Sequence, residues 1–383
     1  MKTKLHYLFI VLAIIAGLHQ ATAQVTNLGI APVAGGQSLF YWPTSPTNYV
    51  LQTTTNLASP NWVTATNAVT VNAVTVTNSA PAGYFRLLQS TNPPGMVLIP
   101  AGSFLIGNYI VNNFYNTATN DPDITDANPT NVYVSAFYMD VNLVSLSQWQ
   151  GVHAYATNHG YSVDAAGYAK GTNYPANDLN WYACVAWCNA RSAQAGLTPC
   201  YYTDAGLTQV YTNATGTSVY LNMANQGYRL PTEAEWEKAA RGGLTGNRFP
   251  WGNIITESQA NYNAYPAVYS YDLGPYSGYN TNFDSGSDFT SPVGSFAPNG
   301  YGLYDMAGNL LEWCWDRYAA PPYPAGSPYL GGTNPTGAAT GSFRVLRGGV
   351  WFGNAYNARC ADRSGVPPTD INDVIGFRCV RGL

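Results

Sequence analysis

Two carboxylates seven residues apart mark the segment of this chain best suited to hold a metal ion. Asp305 and Glu312 flank the run Met-Ala-Gly-Asn-Leu-Leu, so backbone carbonyl groups lie between the two side chains. Oxygen ligands from an irregular loop suit Ca²⁺, because calcium tolerates irregular coordination geometry. The pattern therefore predicts a calcium site. The alternative is that both carboxylates simply hydrogen-bond the turn.

Six cysteines form the second group of residues that could do chemistry, and all lie from residue 184 onward. They are Cys184, Cys188, Cys200, Cys314, Cys360 and Cys379. Zinc is disfavoured because no CxxC pair and no neighbouring histidine accompany them. Disulfides are the default in an oxidising compartment, although the sequence alone does not fix their pairing. Cys184 and Cys188 lie one helical turn apart, a poor geometry for bonding to each other.

Histidine and overall charge exclude several classes of function. Beyond the first 23 residues only His153 and His159 remain, six apart and in no ligand spacing, so a three-histidine metal site is impossible. Charged residues make up 9% of the chain and the formal net charge is −4, against about 25% charged residues in a typical domain. No basic face exists to neutralise phosphates, so nucleic acid is not expected as a partner. A surface so poor in charge suits an extracellular protein.

The N-terminus has the pattern of a secretory signal peptide over residues 1–23. Lys2 and Lys4 precede an apolar run at 8–18, and Ala21-Thr22-Ala23 resembles a cleavage site. The run is too short for a comfortable membrane span, and no later run exceeds a core-sized apolar stretch. We therefore predict a protein that is secreted, periplasmic or at the cell surface, with no transmembrane segment after cleavage. An uncleaved anchor is the alternative.

The elements that must position these residues fall into two parts. Residues 24–89 alternate Val with Thr or Asn, most clearly in the repeat at 67–71 and 72–76, which predicts a small all-β sandwich-like module. Residues 90–95 read as a linker. Residues 96–383 predict an α+β domain with three helices, capped by Ser145, Asn180 and Thr232. After Leu244 helical periodicity is almost absent and loops dominate.

Four collinear motifs in residues 96–383 carry a resemblance to a known family. They are MVLIPAGSF from Met96, GYRLPTEAEWEKAARGG from Gly227, NGYGLYDMAGNLLEW from Asn299, and RGGVW from Arg347 followed by GFRC from Gly376. In this order and at these separations they closely resemble the formylglycine-generating enzyme family, also called sulfatase-modifying factors. The resemblance implies an elaborated C-type-lectin-like α+β fold that is rich in loops.

The resemblance also implies an activity, from which this sequence departs. Members of the family oxidise a cysteine of an exported sulfatase to formylglycine, using O₂ and a copper(I) ion held by two thiolates. The first thiolate position is Gly353 here, the second has no equivalent, and the serine of the motif is Val350. Cys360 aligns with a structural cysteine instead. Copper is therefore not expected, and we predict that the oxidase chemistry is lost.

The family's disulfides map onto the remaining cysteines only in part. The resemblance implies a bridge between Cys188 and Cys379. The second family bridge would join Cys360 to the position of Ala240, so it cannot form. Cys314 is the replacement partner that we predict for Cys360. This leaves Cys184 to pair with Cys200.

Calcium is the chemistry that we expect to survive. The resemblance implies a first site made of the Asp305 side chain, the carbonyl groups of Gly308 and Leu310, and Glu312. It implies a second site made of Asn261, the Tyr262 carbonyl and an acid before Ser291. Two residues could supply that acid, and the spacing does not choose cleanly between them. They are Asp284 and Asp288.

The substrate groove of the enzymes maps onto a segment rich in aromatic residues. The ligand-groove residues that we predict are Trp351, Phe352, Asn354, Tyr356 and Arg363. The glutamates of the third helix (Glu233, Glu235 and Glu237) are interpreted as helix caps and surface salt bridges. The favoured function is an exported, non-catalytic, calcium-stabilised domain that binds an extracellular protein or glycan. The alternatives are a divergent enzyme of the family and an oxidase with displaced ligands.

Overall fold

The computed structural model describes residues 92–383, apart from 109–123, 164–166, 215, 217, 276, 284, 285 and 287. Before residue 92 it describes the backbone of six strands. The predicted signal peptide at 1–23 and the first copy of the repeat, at 67–71, lie outside the described residues. The chain divides into two compact units, Met1–Pro94 and Gly95–Leu383.

The described part of the N-terminal unit consists of two antiparallel three-stranded sheets. In one sheet β2 lies between β1 and β5, and in the other β3 lies between β4 and β6. The strands are β1 (Gly29–Val33), β2 (Gln37–Tyr41), β3 (Tyr49–Thr54), β4 (Val63–Thr64), β5 (Ala73–Thr77) and β6 (Tyr84–Gln89). Strand β5 contains the second copy of the Val-Thr repeat, as its alternation predicts.

Three helices in the C-terminal unit begin directly after the predicted caps. They are α1 (Leu146–Asn158), α2 (Trp181–Gln194) and α3 (Glu233–Ala240). The side chains of Ser145 and Asn180 accept hydrogen bonds from the first turns of α1 and α2. Thr232 and Glu235 form a reciprocal capping box at α3. Downstream of α3 the only helical segments of the described chain are two short 3₁₀ turns, at Thr281–Phe283 and Pro328–Leu330.

Short strands surround these helices. They are β7 (Met96–Ile99), β8 (Gly102–Ile106), β9 (Thr130–Val134), β10 (Phe137–Asp140), β11 (Tyr201–Tyr202), β12 (Tyr220–Leu221), β13 (Tyr228–Arg229), β14 (Leu311–Arg317), β15 (Gly332–Thr333), β16 (Arg344–Arg347), β17 (Arg363–Val366), β18 (Ile375–Gly376) and β19 (Val380–Arg381). One four-stranded sheet has the order β13-β19-β10-β7, and another has the order β17-β16-β14-β18. Strand β14 pairs antiparallel with β16 and parallel with β18, so the third sequence motif and both halves of the fourth meet in one sheet.

Aromatic packing fixes the helices against the C-terminal strands. The rings of Trp149 on α1 and Trp187 on α2 stack 5.5 Å apart with an interplanar angle of 2°. Phe377 meets both rings edge-on, at 5.9 and 5.3 Å. The Gly-Phe-Arg-Cys motif is therefore held against α2 by ring contacts of the favoured edge-to-face kind.

Helix α3 forms a second core against β8, β9, β14 and β16. All eight of its residues are buried. Within the described residues, no helix combines the length and the apolar character that a bilayer crossing requires.

Candidate functional site

The two segments predicted to bind calcium lie side by side. The Asn309 amide donates to the Asn261 carbonyl at 2.8 Å, and the Gly308 amide donates to the Gly348 carbonyl at 2.7 Å. Gly308 has φ +76°, and a Cβ there would lie 2.2 Å from the Asn261 carbonyl oxygen. Only glycine fits this close approach. Asp305 and Asn309 also have positive φ, at 54° and 68°, so the segment is a tightly wound turn.

Asp305 has one carboxylate oxygen that lacks a partner. Its Oδ2 accepts a hydrogen bond from the Gly294 amide at 2.7 Å, whereas its Oδ1 is buried without a hydrogen bond. Burial raises the pKa of this carboxyl to about 6. A buried carboxylate oxygen with no donor is the kind of group that a cation would satisfy.

Glu312, the other predicted carboxylate, is already paired. Arg378 donates to both oxygens of Glu312, at 2.7 and 2.8 Å, and the Trp236 indole donates to one of them at 2.9 Å. The side chains of Glu312 and Arg378 are both fully buried. A bidentate pair of this kind is charge-assisted and geometrically specific. The structure therefore gives Glu312 a structural partner that the sequence analysis missed.

The second predicted calcium set is described only in part. Asn261 is buried, and its side-chain amide nitrogen donates to the Phe289 carbonyl at 2.6 Å. Its side-chain oxygen, Oδ1, accepts no hydrogen bond. The Tyr262 hydroxyl donates to Asp272 at 2.6 Å. Asp288 Oδ1 accepts hydrogen bonds from the amide and the hydroxyl of Thr290. Asp284 lies outside the described residues. Across the described residues no three acidic, histidine or cysteine side chains converge on one point.

The position that the resemblance assigns to the first thiolate is a tightly packed glycine. The Gly353 amide donates to the Val350 carbonyl, and its carbonyl accepts from the Asn263 amide, both at 2.9 Å. A Cβ at Gly353 would lie 3.2 Å from both Val350 Cγ1 and Asn357 Oδ1. A side chain here would require these neighbours to shift.

All six cysteines are buried and unbonded in the structure. The Cys188 and Cys379 sulfur atoms lie 3.5 Å apart, so the structure brings this predicted pair together. Cys314 and Cys360 lie in the core around α3, and Cys184 and Cys200 lie in the core around α2. Burial raises the pKa of the Cys200 thiol to about 11 and that of Cys360 to about 12. These two thiols are not poised as thiolates.

Four rings near Gly353 form a partly exposed surface, which we call the aromatic patch: Tyr279, Phe289, Trp351 and Phe352. The Trp351 ring centroid lies 5.4 Å from each of the other three. Phe352 is 44% exposed and Tyr279 is 42% exposed. The Trp351 amide donates to the Asn309 carbonyl at 3.0 Å, which ties the patch to the Asp305–Glu312 segment.

The other predicted groove residues make contacts outside the four rings. Tyr356 is half-buried and its ring lies 5.5 Å from Tyr269, while the carbonyl of the half-buried Asn354 accepts from the Asn357 amide. Arg363 is only 8% exposed. Its guanidinium donates to both oxygens of Glu233, at 2.6 and 2.8 Å, so it is placed inside the protein instead of on a groove.

The three glutamates of α3 differ from the prediction in their burial. Glu233 pairs with Arg363, Glu235 pairs with Arg229 at 2.7 Å, and Glu237 pairs with Arg241 and Arg347. The predicted capping role of Glu235 is confirmed, but these salt bridges are buried and not on the surface. The reason is that α3 packs against four strands and all eight of its residues are buried, so even side chains that point apart meet arginines.

Comparisons with known proteins agree with this architecture. The model of the sulfatase-modifying factor enzyme 1-like domain matches residues 84–383. The chain is 32% identical over 308 residues to the formylglycine-generating enzyme of Thermomonospora curvata, covering 74% of this chain and 92% of that enzyme. It is 42% identical over 157 residues to the serine/threonine-protein kinase pkn1 of Chlamydia caviae, covering 41% of this chain but only 21% of the kinase.

A solved structure shows the same fold. Treponema denticola variable protein 1 superposes with a TM-score of 0.54 and 29% identity, covering 75% of this chain and 95% of that protein. It has the C-type-lectin-like fold, so the predicted α+β fold class is confirmed. The family match over residues 84–383 and the identity across three quarters of the chain lead to one conclusion: this chain belongs to the formylglycine-generating enzyme family, the sulfatase-modifying factors.

Proposed function

We propose that this chain is an exported, non-catalytic member of its family that binds an extracellular ligand through the aromatic patch. The observation that carries the proposal is the tightly packed, hydrogen-bonded turn at Val350–Gly353, directly beside partly exposed rings. A glycine stands where the resemblance requires a copper-binding thiolate. The buried thiols of Cys314 and Cys360 offer no substitute at that surface.

The aromatic patch has the properties of a recognition surface for an uncharged ligand. All four of its side chains are aromatic, and none carries a charge. Exposed aromatic rings contribute large contact area to binding and are enriched at interfaces. An extracellular protein or a glycan is the ligand class that we propose. Export is inferred from the pattern at residues 1–23, and signal-peptide cleavage in a secreting host would test it.

Calcium would stabilise the turn beneath the patch. The free Oδ1 of Asp305 fits a cation, and the Gly308 and Leu310 carbonyls would be its backbone ligands. Glu312 fits less well, because both of its oxygens already accept hydrogen bonds from Arg378. When bound, calcium would supply positive charge to a buried carboxylate. Because Asn309 connects this turn to Trp351, ordering the turn would also order the patch.

A second function, a divergent enzyme of the family, is favoured by one observation. The relatives that the chain resembles over three quarters of its length include formylglycine-generating enzymes. Such an enzyme would either catalyse another oxidative or maturation reaction or retain the oxidase reaction. The retained oxidase would need two accessible thiols at one place.

The decisive experiment measures ligand binding and oxidase activity on one purified, oxidised sample. With added copper(I), we expect mass spectrometry to detect no conversion of a sulfatase-derived cysteine peptide to formylglycine. We also expect the protein to bind on a glycan array or to extracellular matrix proteins. Trp351→Ala and Phe352→Ala should each weaken that binding at least tenfold. Tyr265→Ala removes an aromatic side chain that is 45% exposed outside the patch, and it should leave binding unchanged. Formylglycine formation would instead establish the enzyme.

Calcium binding is tested separately by thermal unfolding. We expect calcium to raise the melting temperature of the wild-type chain, and Asp305→Asn to abolish that rise. Asp370→Asn is the matched control, because Asp370 lies outside the predicted ligand sets. An equal calcium response in wild type and Asp305→Asn would refute the site.

A further inference from the structure

A cleft lined by none of the four aromatic-patch residues contains an arginine that has no counter-ion among the described residues. The cleft has a volume of 580 Å³ and lies between residues 218–220, strand β14 and the loop at 325–339. Its charged lining residues are Arg317 and Arg344, and no acidic residue among the described ones lines it. We call it the Arg344 cleft. Its volume lies within the range of small-molecule sites, about 300–1,000 Å³.

Arg344 is held rigidly in the cleft wall. Its guanidinium carbon lies 3.7 Å from the ring centroid of Trp181 and 4.9 Å from that of Trp315. One terminal nitrogen donates to the Trp315 carbonyl. The residue is 5% exposed, and its Nε is buried without a hydrogen-bond partner. Stacking on indole rings fixes the plane of the guanidinium and leaves a donor edge unused.

Six of the seven other buried arginines in the described part of this unit show what is missing at Arg344. Each of the six lies within 4.0 Å of a carboxylate oxygen: Arg191, Arg229, Arg241, Arg347, Arg363 and Arg378. Arg344 forms no such ion pair with a described residue. Burial, and next the charge of Arg317, lower the pKa of Arg344 to about 9. A buried cation with no partner is costly, and a bound anion would offset that cost.

We propose that the Arg344 cleft binds a small carboxylate ligand of monosaccharide size, of the uronic-acid class. A planar guanidinium matches a planar carboxylate through two parallel hydrogen bonds. Arg317 adds a second positive charge at the cleft, and the hydroxyls of Ser218 and Thr336 are available to sugar hydroxyl groups. This site is independent of the aromatic patch, and its ligand carries a charge that the patch does not select.

Calorimetric titration of the full chain with D-glucuronate, D-glucose and inorganic sulfate tests the proposal. We expect D-glucuronate to bind at least tenfold more tightly than D-glucose, because only the former presents a carboxylate. We expect sulfate to bind more weakly than D-glucuronate. Equal binding of the two sugars would overturn the proposal, and so would tighter binding of sulfate.

Variants locate the ligand within the cleft. Arg344→Lys keeps the charge but removes the planar fork, and it should weaken D-glucuronate binding at least tenfold. Because Arg344 is buried, two milder variants guard against a folding defect. Arg317→Gln should weaken binding several-fold, and Ala339→Trp, at an exposed lining position, should block the cleft. Trp351→Ala should leave D-glucuronate binding unchanged, which separates this site from the aromatic patch. Unaltered binding in Ala339→Trp and Arg317→Gln would refute the site.

Discussion

Among single residues, Asp316 carries the clearest consequence for pH dependence. It is fully buried, its Oδ2 accepts a hydrogen bond from the Glu233 amide at 2.9 Å, and its Oδ1 has no partner. Burial, with Glu233 nearby, raises the pKa of this carboxyl to about 8. Its value in the unfolded chain is near 3.9. The native protein therefore retains a proton at neutral pH that the unfolded chain releases.

Because of this difference in protonation, Asp316 lowers the free energy of unfolding as the pH rises. Because the native state binds more protons between about pH 4 and 8, the free energy of unfolding falls with pH across that window, by up to about 1.4 kcal/mol per pH unit. In Asp316→Asn the amide keeps an acceptor for the Glu233 amide and cannot ionise. Urea unfolding at pH 5.5, 7 and 8.5 should show the variant gaining stability relative to wild type at each step. Parallel pH profiles for the two proteins would contradict this expectation, and Asp370→Asn is the control.

Cys188 and Cys379 give a second prediction at the scale of residues. Cys188 lies on α2 and Cys379 directly before β19, and their sulfur atoms are neighbours. A bond between them would close a loop of nearly two hundred residues. In oxidised protein we expect a Cys188–Cys379 cross-linked peptide in a non-reducing digest. Cys188→Ala should then lower the free energy of unfolding by about 2–4 kcal/mol without reductant. Its effect should be smaller in reductant. Alkylation of both thiols in unreduced, denatured protein would exclude the bond.

The sequence predicted the helix starts well but not the partners of buried charges. Ser145, Asn180 and Thr232 sit at the helix starts because capping is local, involving residues within one turn. The partners of Glu237 and Glu312 could not be read in this way. Arg347 and Arg378 lie 110 and 66 residues away along the chain. The one available signal was that, in a chain with 9% charged residues, six charged residues concentrate in the single motif at 227–243.

Among the elements, helix α3 depends most on its buried ion pairs. Its three glutamates meet arginines from β13, β16 and β17, so the helix connects two sheets through charge. Glu237 accepts hydrogen bonds from the Gly107 amide at 2.7 Å, from Arg241, and from Arg347. A glutamine at this position would turn a donor toward one of the two guanidinium groups and would leave the charge of both uncompensated.

Glu237→Gln should therefore destabilise the fold strongly. We expect a loss of about 3–5 kcal/mol in the free energy of unfolding, the usual cost of breaking one half of a buried ion pair. Urea unfolding monitored by tryptophan fluorescence would measure it. Glu257→Gln makes the same chemical change at a partly exposed residue with no ion pair and should cost less than about 0.5 kcal/mol. Equal effects of the two substitutions would show that α3 does not depend on these pairs.

For the whole molecule, the motifs that reveal the family are the parts that hold the fold together. Arg347 binds Glu237, Arg378 binds Glu312, and Phe377 packs on Trp149 and Trp187. Gly349 has φ +77°, and a Cβ there would lie 2.7 Å from the Asn357 carbonyl oxygen. These residues fix architecture, so their presence accounts for the similarity to the enzymes without requiring the oxidase reaction.

The division of the chain gives a prediction at the largest scale. The family match begins at residue 84, but residues 84–89 form β6, which pairs with β3 in the N-terminal unit. The C-terminal unit begins at Gly95, and β7 (Met96–Ile99) already pairs with β10 in its sheet. Met96 is 5% exposed and Ile99 is 0% exposed, so β7 contributes to the core. The fold should therefore need residue 96 onward and nothing before the linker.

Two truncations test this boundary. A fragment of residues 92–383 should fold cooperatively, with a melting temperature within a few degrees of the corresponding transition in the full chain. A fragment of residues 101–383 differs by only nine residues but lacks β7, so the edge of β10 is left unpaired and buried apolar area is exposed. We expect it to lose at least about 3 kcal/mol of stability, since two core side chains and the hydrogen bonds of one strand are removed together. Calorimetry of both fragments beside the full chain measures the difference. If the 92–383 fragment failed to fold while the full chain folded, the C-terminal unit would depend on the N-terminal one, and binding studies would then require the intact protein.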